Sequence, residues 1–259
     1  MGAIIAIVNQ KGGVAKTTTA VNLGGALAAG NGQRVLVVDV DPQSHATLIL
    51  TANAEIDPPV QGLYEVLAGE QTAEAVVCPS HRVRLDVCPA TITLARAETQ
   101  FLHAYQREGL LQRALASLVP RYDYVILDCP PSLGLLTNMA LTMATDVVVP
   151  IMPERLALRG MADLFSTIRT VQELGNPGLQ IQGIIITRYN RWPKIYQGVY
   201  EQLQGVYAGL LFQTVIPQGV ASEEATVYGL PVVDYAPDSP VAQAYVALTQ
   251  ELLTRLPAR

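Results

Sequence analysis

Asn9-Gln10-Lys11-Gly12-Gly13-Val14-Ala15-Lys16-Thr17-Thr18-Thr19 follows the β-branched run Ile4-Ile5-Ala6-Ile7-Val8 and opens an Ala/Leu-rich segment of helical periodicity that ends near Ala29. A Gly-Gly turn between a strand and a helix lets backbone N–H groups converge on an anion, and the helix N-terminus adds roughly half a positive charge there. Lys16 is placed to lie along the β- and γ-phosphates of a nucleotide. The Thr17 hydroxyl is placed to complete a magnesium shell made otherwise of phosphate oxygens and water. The general phosphate-loop pattern G-x-x-x-x-G-K-[ST] is not met, because Gln10 and Ala15 stand at its glycine positions. Composition supports the site independently. Of 17 basic residues only Lys11, Lys16 and Lys194 are lysine, and two of these share this loop. A compact ammonium on a flexible stem suits a phosphate cradle where a guanidinium fork does not fit.

Outward from the loop, short apolar runs alternate with helical segments: Val35–Val38, Tyr124–Leu127, Val147–Val149, Ile184–Ile186 and Thr214–Ile216 join Ile4–Val8. Continuous rather than alternating apolar runs are what strands buried on both faces require. The expected fold is therefore α/β, a predominantly parallel twisted sheet with helices on both faces. Residues 1–259 are expected to form one domain, since no linker, repeat or low-complexity tract interrupts them. Leu133–Met152 is apolar but holds Asn138, Asp146 and Pro150, and it splits into a helix and a strand rather than a membrane span.

In such sheets functional groups gather where strands end. Asp39-Val40-Asp41-Pro42-Gln43 follows the second run and Asp128-Cys129-Pro130-Pro131-Ser132 the third. Asp39 is placed to hold magnesium or its waters, and Asp41 to face the γ-phosphate and position the attacking water. Asp128 is placed to reach magnesium through water. Each alone could be a strand-end aspartate capping a turn; together with the loop they form a constellation.

The loop matches K-G-G-x-x-K-[ST], the deviant Walker A box, and here the chain resembles the ParA/MinD family of P-loop ATPases, in its ParA/Soj branch. The resemblance runs from Ile4 to about Leu253 and includes Asp39-x-Asp41-Pro42-Gln43, Leu127-Asp128-x-Pro130-Pro131-Ser132-Leu133, Ala157-Leu158-Arg159-Gly160, Val215-Ile216-Pro217 and Ala242-Gln243-Ala244-Tyr245. It implies ATP and Mg²⁺ as cofactors, with Lys11, Gly12, Gly13, Val14, Ala15, Lys16, Thr17 and Thr18 around the phosphates and the loops near Arg188 and Pro217 around the adenine. It implies catalysis by Lys16, Asp41 and Lys11, with Lys11 reaching the nucleotide of the other subunit, and metal contacts from Thr17, Asp39 and Asp128. A homodimer in the ATP state, nonspecific DNA binding and a ParB-like or other cargo adaptor are further implications. So are a short form without an N-terminal helix-turn-helix and a cytoplasmic, nucleoid-associated location when ATP is bound.

The residues qualify this picture. A net charge of −5 restricts any DNA contact to a local patch. The densest basic stretch is Arg188, Arg191 and Lys194 around Trp192, which reads equally as a phosphate-binding surface or as a solvated loop with an anchored tryptophan. The family usually carries an arginine after the Ile-Pro corner, where this chain reads Gln218-Gly219-Val220-Ala221-Ser222-Glu223-Glu224. His45 stands in a loop where the family usually has asparagine, and it reads as structural rather than catalytic. A MinD-like membrane-cycling regulator is the alternative, although Val241–Leu256 reads as a core-packing helix rather than a basic amphipathic tail. A metabolic ligase on the same scaffold is a further possibility, without an identifiable substrate pocket. The three cysteines, with no C-x-x-C pair, fit a reduced compartment and give no iron–sulfur ligand set.

Overall fold

The computed structural model describes residues 2–30, 32–52, 61–154, 157–190 and 194–257. Eight strands form one sheet in the order β3-β4-β2-β5-β1-β6-β7-β8. They are β1 Ala3–Ile7, β2 Val35–Asp39, β3 Cys78–Pro79, β4 Leu85–Cys88, β5 Tyr124–Asp128, β6 Asp146–Ile151, β7 Gln180–Tyr189 and β8 Leu211–Pro217. Every pairing is parallel except β3 with β4. The six apolar runs all fall on strands, with Val8 one residue past the end of β1, while β3 and β4 are too short and too mixed to stand out in the sequence.

The pleat divides the core. Ile4, Ala6 and Val8 pack on one face with Leu36, Val38, Leu127, Met139 and Leu164, while Ile5 and Ile7 pack on the other with Leu23, Val37, Ile126, Tyr245 and Leu248. The first face is covered by helices Leu135–Met143 and Ala157–Leu174, the second by Lys16–Ala29 and Pro240–Arg255. Leu133–Met152 thus becomes helix and strand as its sequence requires, and among the described residues no helix is long and apolar enough to cross a membrane.

Register assembles the site. Ile7 and Asp39 both lie opposite Asp128, so the neighbouring strands β2, β5 and β1 end side by side, with the glycine loop following β1. The chain leaves β1 toward β2 and returns from β5 to β6 across it, the arrangement that opens a crevice at the carboxyl ends of a parallel sheet.

Candidate nucleotide site

The loop's backbone is committed to phosphate-sized company. Gly13 has φ +76°, and a side-chain carbon on Gly12 or Gly13 would meet nothing within 4 Å, so both peptides face open space. Ala15 is also left-handed, at φ 62°. That conformation costs a non-glycine residue about 1–2 kcal/mol and explains why the general motif has glycine at this position. Helix Lys16–Ala29 begins immediately after, with no side chain capping its first amides and no acid in its first turn. Its donors remain available for an anion.

Buried hydrogen bonds fix the loop from behind. Asn9 donates to the Pro150 carbonyl at 2.8 Å and accepts from the Lys11 amide at 2.9 Å. The buried Thr187 hydroxyl lies 3.0 Å from both the Val14 and Ile151 carbonyls. Val14 turns its side chain into the core, so its contribution to the cradle is backbone.

A cavity of about 400 Å³ lies in front, lined on the loop side by Gly12, Gly13, Ala15, Lys16, Thr17 and Thr18, and on the sheet side by Asp41, Gln43, His45 and Pro131. This volume falls in the range of small-molecule sites. Lys16 is buried, which lowers its pKa against the pull of Asp128, Cys129 and Asp41, and its Nζ donates to the Lys11 carbonyl at 2.9 Å.

The three aspartates have separate surroundings. Asp39 is fully buried and accepts from the Thr47 amide at 2.8 Å, the Thr47 hydroxyl at 2.7 Å and the Asp41 amide at 3.1 Å. Burial pushes its pKa up to about 6 despite these bonds. One of its oxygens is engaged with Thr47 of helix His45–Thr51 and the other with the Asp41 amide, and it does not line the cavity. Asp41 does line it and accepts from the Gln43 amide at 2.9 Å. Asp128 is fully buried, and among the described residues neither of its carboxyl oxygens has a hydrogen-bond partner. Burial first, then Asp39, raise its pKa well above the carboxylate range, while the nearby Thr17 hydroxyl and Lys16 favour the charged form. A buried carboxylate left this way calls for a cation. Among the described residues no cluster of three or more His, Cys, Asp or Glu side chains forms a metal cage. The donor set of Thr17 and Asp128 therefore fits magnesium, which keeps waters and relies on substrate phosphates, rather than a metal needing an all-protein site.

Arg188 and Pro217 face the same cavity from its far side, with Gln218, Ser222, Thr226, Val241 and Tyr245. Arg188 lies at the end of β7 at φ 50°, where the pairing with β8 shifts register between Ile186 and Tyr189, and its guanidinium is 3.7 Å from the Glu223 carboxylate. Such an irregularity re-aims a side chain. Arg188 thus stands at the cavity rim, on the side where the adenine is expected, as well as at the start of the basic stretch. Lys194 opens helix Lys194–Tyr207, and Arg191 and Trp192 lie outside the described residues. Lys11 does not line the cavity; its Nζ pairs with Glu154 of its own chain. Tyr245 is the residue that the sequence offered only as helix core. Its one further signal was its place in the Ala242–Tyr245 resemblance.

The fold and the loop define a P-loop nucleotide-binding protein. The model of the family described as AAA domain matches residues 2–181. Over 253 residues the chain is 42% identical to the sporulation initiation inhibitor protein Soj of Bacillus subtilis, covering 97% of this chain and 98% of that one. It is 38% identical to the chromosome partitioning protein ParA of Myxococcus xanthus, over 98% of this chain and 89% of that one. Among solved structures, one described as cobyrinic acid a,c-diamide synthase from Mycobacterium smegmatis with bound ATP analog and magnesium has a TM-score of 0.85 and 37% identity, over 98% of this chain and 94% of that one. The chain belongs to the AAA domain family, in the ParA/Soj group of deviant Walker A P-loop ATPases.

Proposed function

We propose that the protein hydrolyses ATP with magnesium and uses the ATP state to dimerise, bind DNA nonspecifically and position a cargo through a stimulating adaptor. The observation that carries the nucleotide part is Asp128, a buried carboxyl with no hydrogen-bond partner for either oxygen among the described residues, beside Lys16 and the uncapped start of helix Lys16–Ala29. Magnesium, when bound, would neutralise phosphate charge at Thr17 and Asp128. Lys16 would exchange the Lys11 carbonyl for the β- and γ-phosphates, and Asp41 would orient the attacking water. Arg188 and Pro217 would border the base, against Val241 and Tyr245.

The positioning role is supported by the identity to Soj and ParA over nearly the whole chain. DNA contact is proposed at Arg191 and Lys194, since Arg188 is engaged at the cavity. The test is binding to mixed-sequence duplex DNA with ATP, with ADP and without nucleotide across a salt series. ATP-dependent, salt-sensitive binding supports the proposal. Absence of binding in every state, with ATP hydrolysis retained, moves the cargo surface to a membrane or protein. A second reading comes from the M. smegmatis structure's description as a diamide synthase. ATP turnover that requires cobyrinic acid would favour that reading.

A further inference from the structure

Lys11 is held at three points, and none of them is the cavity. Its amide donates to Asn9 at 2.9 Å, its carbonyl accepts from Lys16 Nζ at 2.9 Å, and its own Nζ pairs with Glu154. Glu154 follows β6 in a tight turn, its amide 2.8 Å from the Met152 carbonyl. That turn is tied to the loop a second time, because Asn9 donates to Pro150 and Thr187 joins Val14 to Ile151. Both carboxylate and ammonium are about half exposed, at 40% and 45%. The pair can therefore open without disturbing the core.

The geometry points to Glu154 as a positioning residue that holds Lys11 in its own subunit until a partner's nucleotide competes for it. This rests on the reading that Lys11 acts in trans. One ammonium cannot satisfy Glu154 and a partner's phosphates together, so each subunit entering the dimer must break this pair. The Lys16 contact links the tether to nucleotide binding: when phosphates draw the Lys16 ammonium off the Lys11 carbonyl, one of the three restraints on Lys11 is lost. Glu154 thereby sets a threshold for dimerisation without touching the nucleotide.

A half-exposed ion pair is worth about two- to fivefold in an equilibrium constant. A symmetric dimer opens two of them, so Glu154→Gln should tighten dimerisation by about fourfold or more. The experiment compares the Asp41→Ala chain, which is expected to hold ATP, with Asp41→Ala/Glu154→Gln by sedimentation across a protein concentration series with ATP and magnesium. The expected result is the tighter dimer with unchanged ATP affinity of the monomer, and loss of the difference when Lys11→Ala is added to both chains. An unchanged dimer constant, or the same difference without Lys11, overturns the tether while leaving the trans role of Lys11 in place. Full ATP-dependent dimerisation of the Asp41→Ala/Lys11→Ala chain overturns the trans role and the tether with it.

Discussion

The Tyr245 hydroxyl lies 3.4 Å from the Thr19 hydroxyl, joining the last helix of the chain to the first turns of the phosphate-binding one. Both residues are fully buried, and Tyr245 also lines the cavity. Burial pushes the phenol up to about 12, so it stays a neutral donor at any working pH.

Truncating this residue should damage stability and the site together. Tyr245→Ala is expected to cost about 3–5 kcal/mol, the range for removing a buried aromatic ring. Tyr245→Phe should cost only about 1 kcal/mol, since the hydroxyl contact is long. Urea unfolding measures both, and ATP titration of the folded variants should show weaker binding for Ala than for Phe.

Asp128 makes the nucleotide-free protein sensitive to pH. Between the ordinary carboxylate range and its raised folded value, the native chain keeps a proton that the unfolded chain has released, so stability falls as pH rises through that window. Asp39, raised to about 6, adds the same sign between about pH 4 and 6. Asp128→Asn removes one of these titrating groups and, at pH 8, should raise the stability of the nucleotide-free chain by about 1–3 kcal/mol. The same variant should lose the stabilisation that magnesium with ATP gives the parent chain. Equilibrium unfolding at pH 5 and pH 8, with and without magnesium and ATP, reads all of this.

Ala15 stands in a conformation that glycine adopts without strain. Ala15→Gly should therefore stabilise the protein by about 1 kcal/mol, opposite to the usual sign for that exchange inside a helix. Thermal unfolding would show a higher midpoint. A lower midpoint would mean that the Ala15 methyl packs usefully enough to outweigh the strain.

Lys16 and Asp41 should separate binding from turnover. Lys16→Ala is expected to abolish ATP binding, because nothing else among the cavity's described side chains on the loop carries a positive charge. Asp41→Ala should bind ATP and persist as a dimer with phosphate release slowed by at least about tenfold, an order expected for losing a residue that positions the nucleophile. Release at the parent rate would assign water positioning to another group, and His45 and Gln43, both on the cavity wall, are the residues to test next.

The apolar runs, the glycine loop and the strand-end aspartates were legible because each depends on local chemistry. A buried parallel strand must be apolar on both faces, and Gly13 sits where φ is +76°. The short strands β3 and β4 were not legible: Leu85 and Val87 face the core while Asp86 turns out to meet the Tyr122 hydroxyl at 2.7 Å, too brief an alternation to recognise. For Arg188 the sequence leaves two places open, the basic stretch and the loops around the adenine, because nothing in its neighbours announces the register shift at the end of β7 beside the cavity. Asp39 and Asp128 look equivalent as strand-end carboxylates, yet one is satisfied by Thr47 and the other has no hydrogen-bond partner for either oxygen among the described residues.

What the sequence determined by itself is the phosphate cradle and the sheet that carries it, since both follow from backbone conformations and hydrophobic burial that a few adjacent residues dictate. What only the tertiary structure decided is which group faces which: the burial of the Asp128 carboxyl with no hydrogen-bond partner among the described residues, the parking of Lys11 on Glu154, and the closure of the cavity by a tyrosine 226 residues from its partner. Those outcomes depend on packing between distant segments, where one carboxylate or hydroxyl is satisfied only once every neighbouring element is in place.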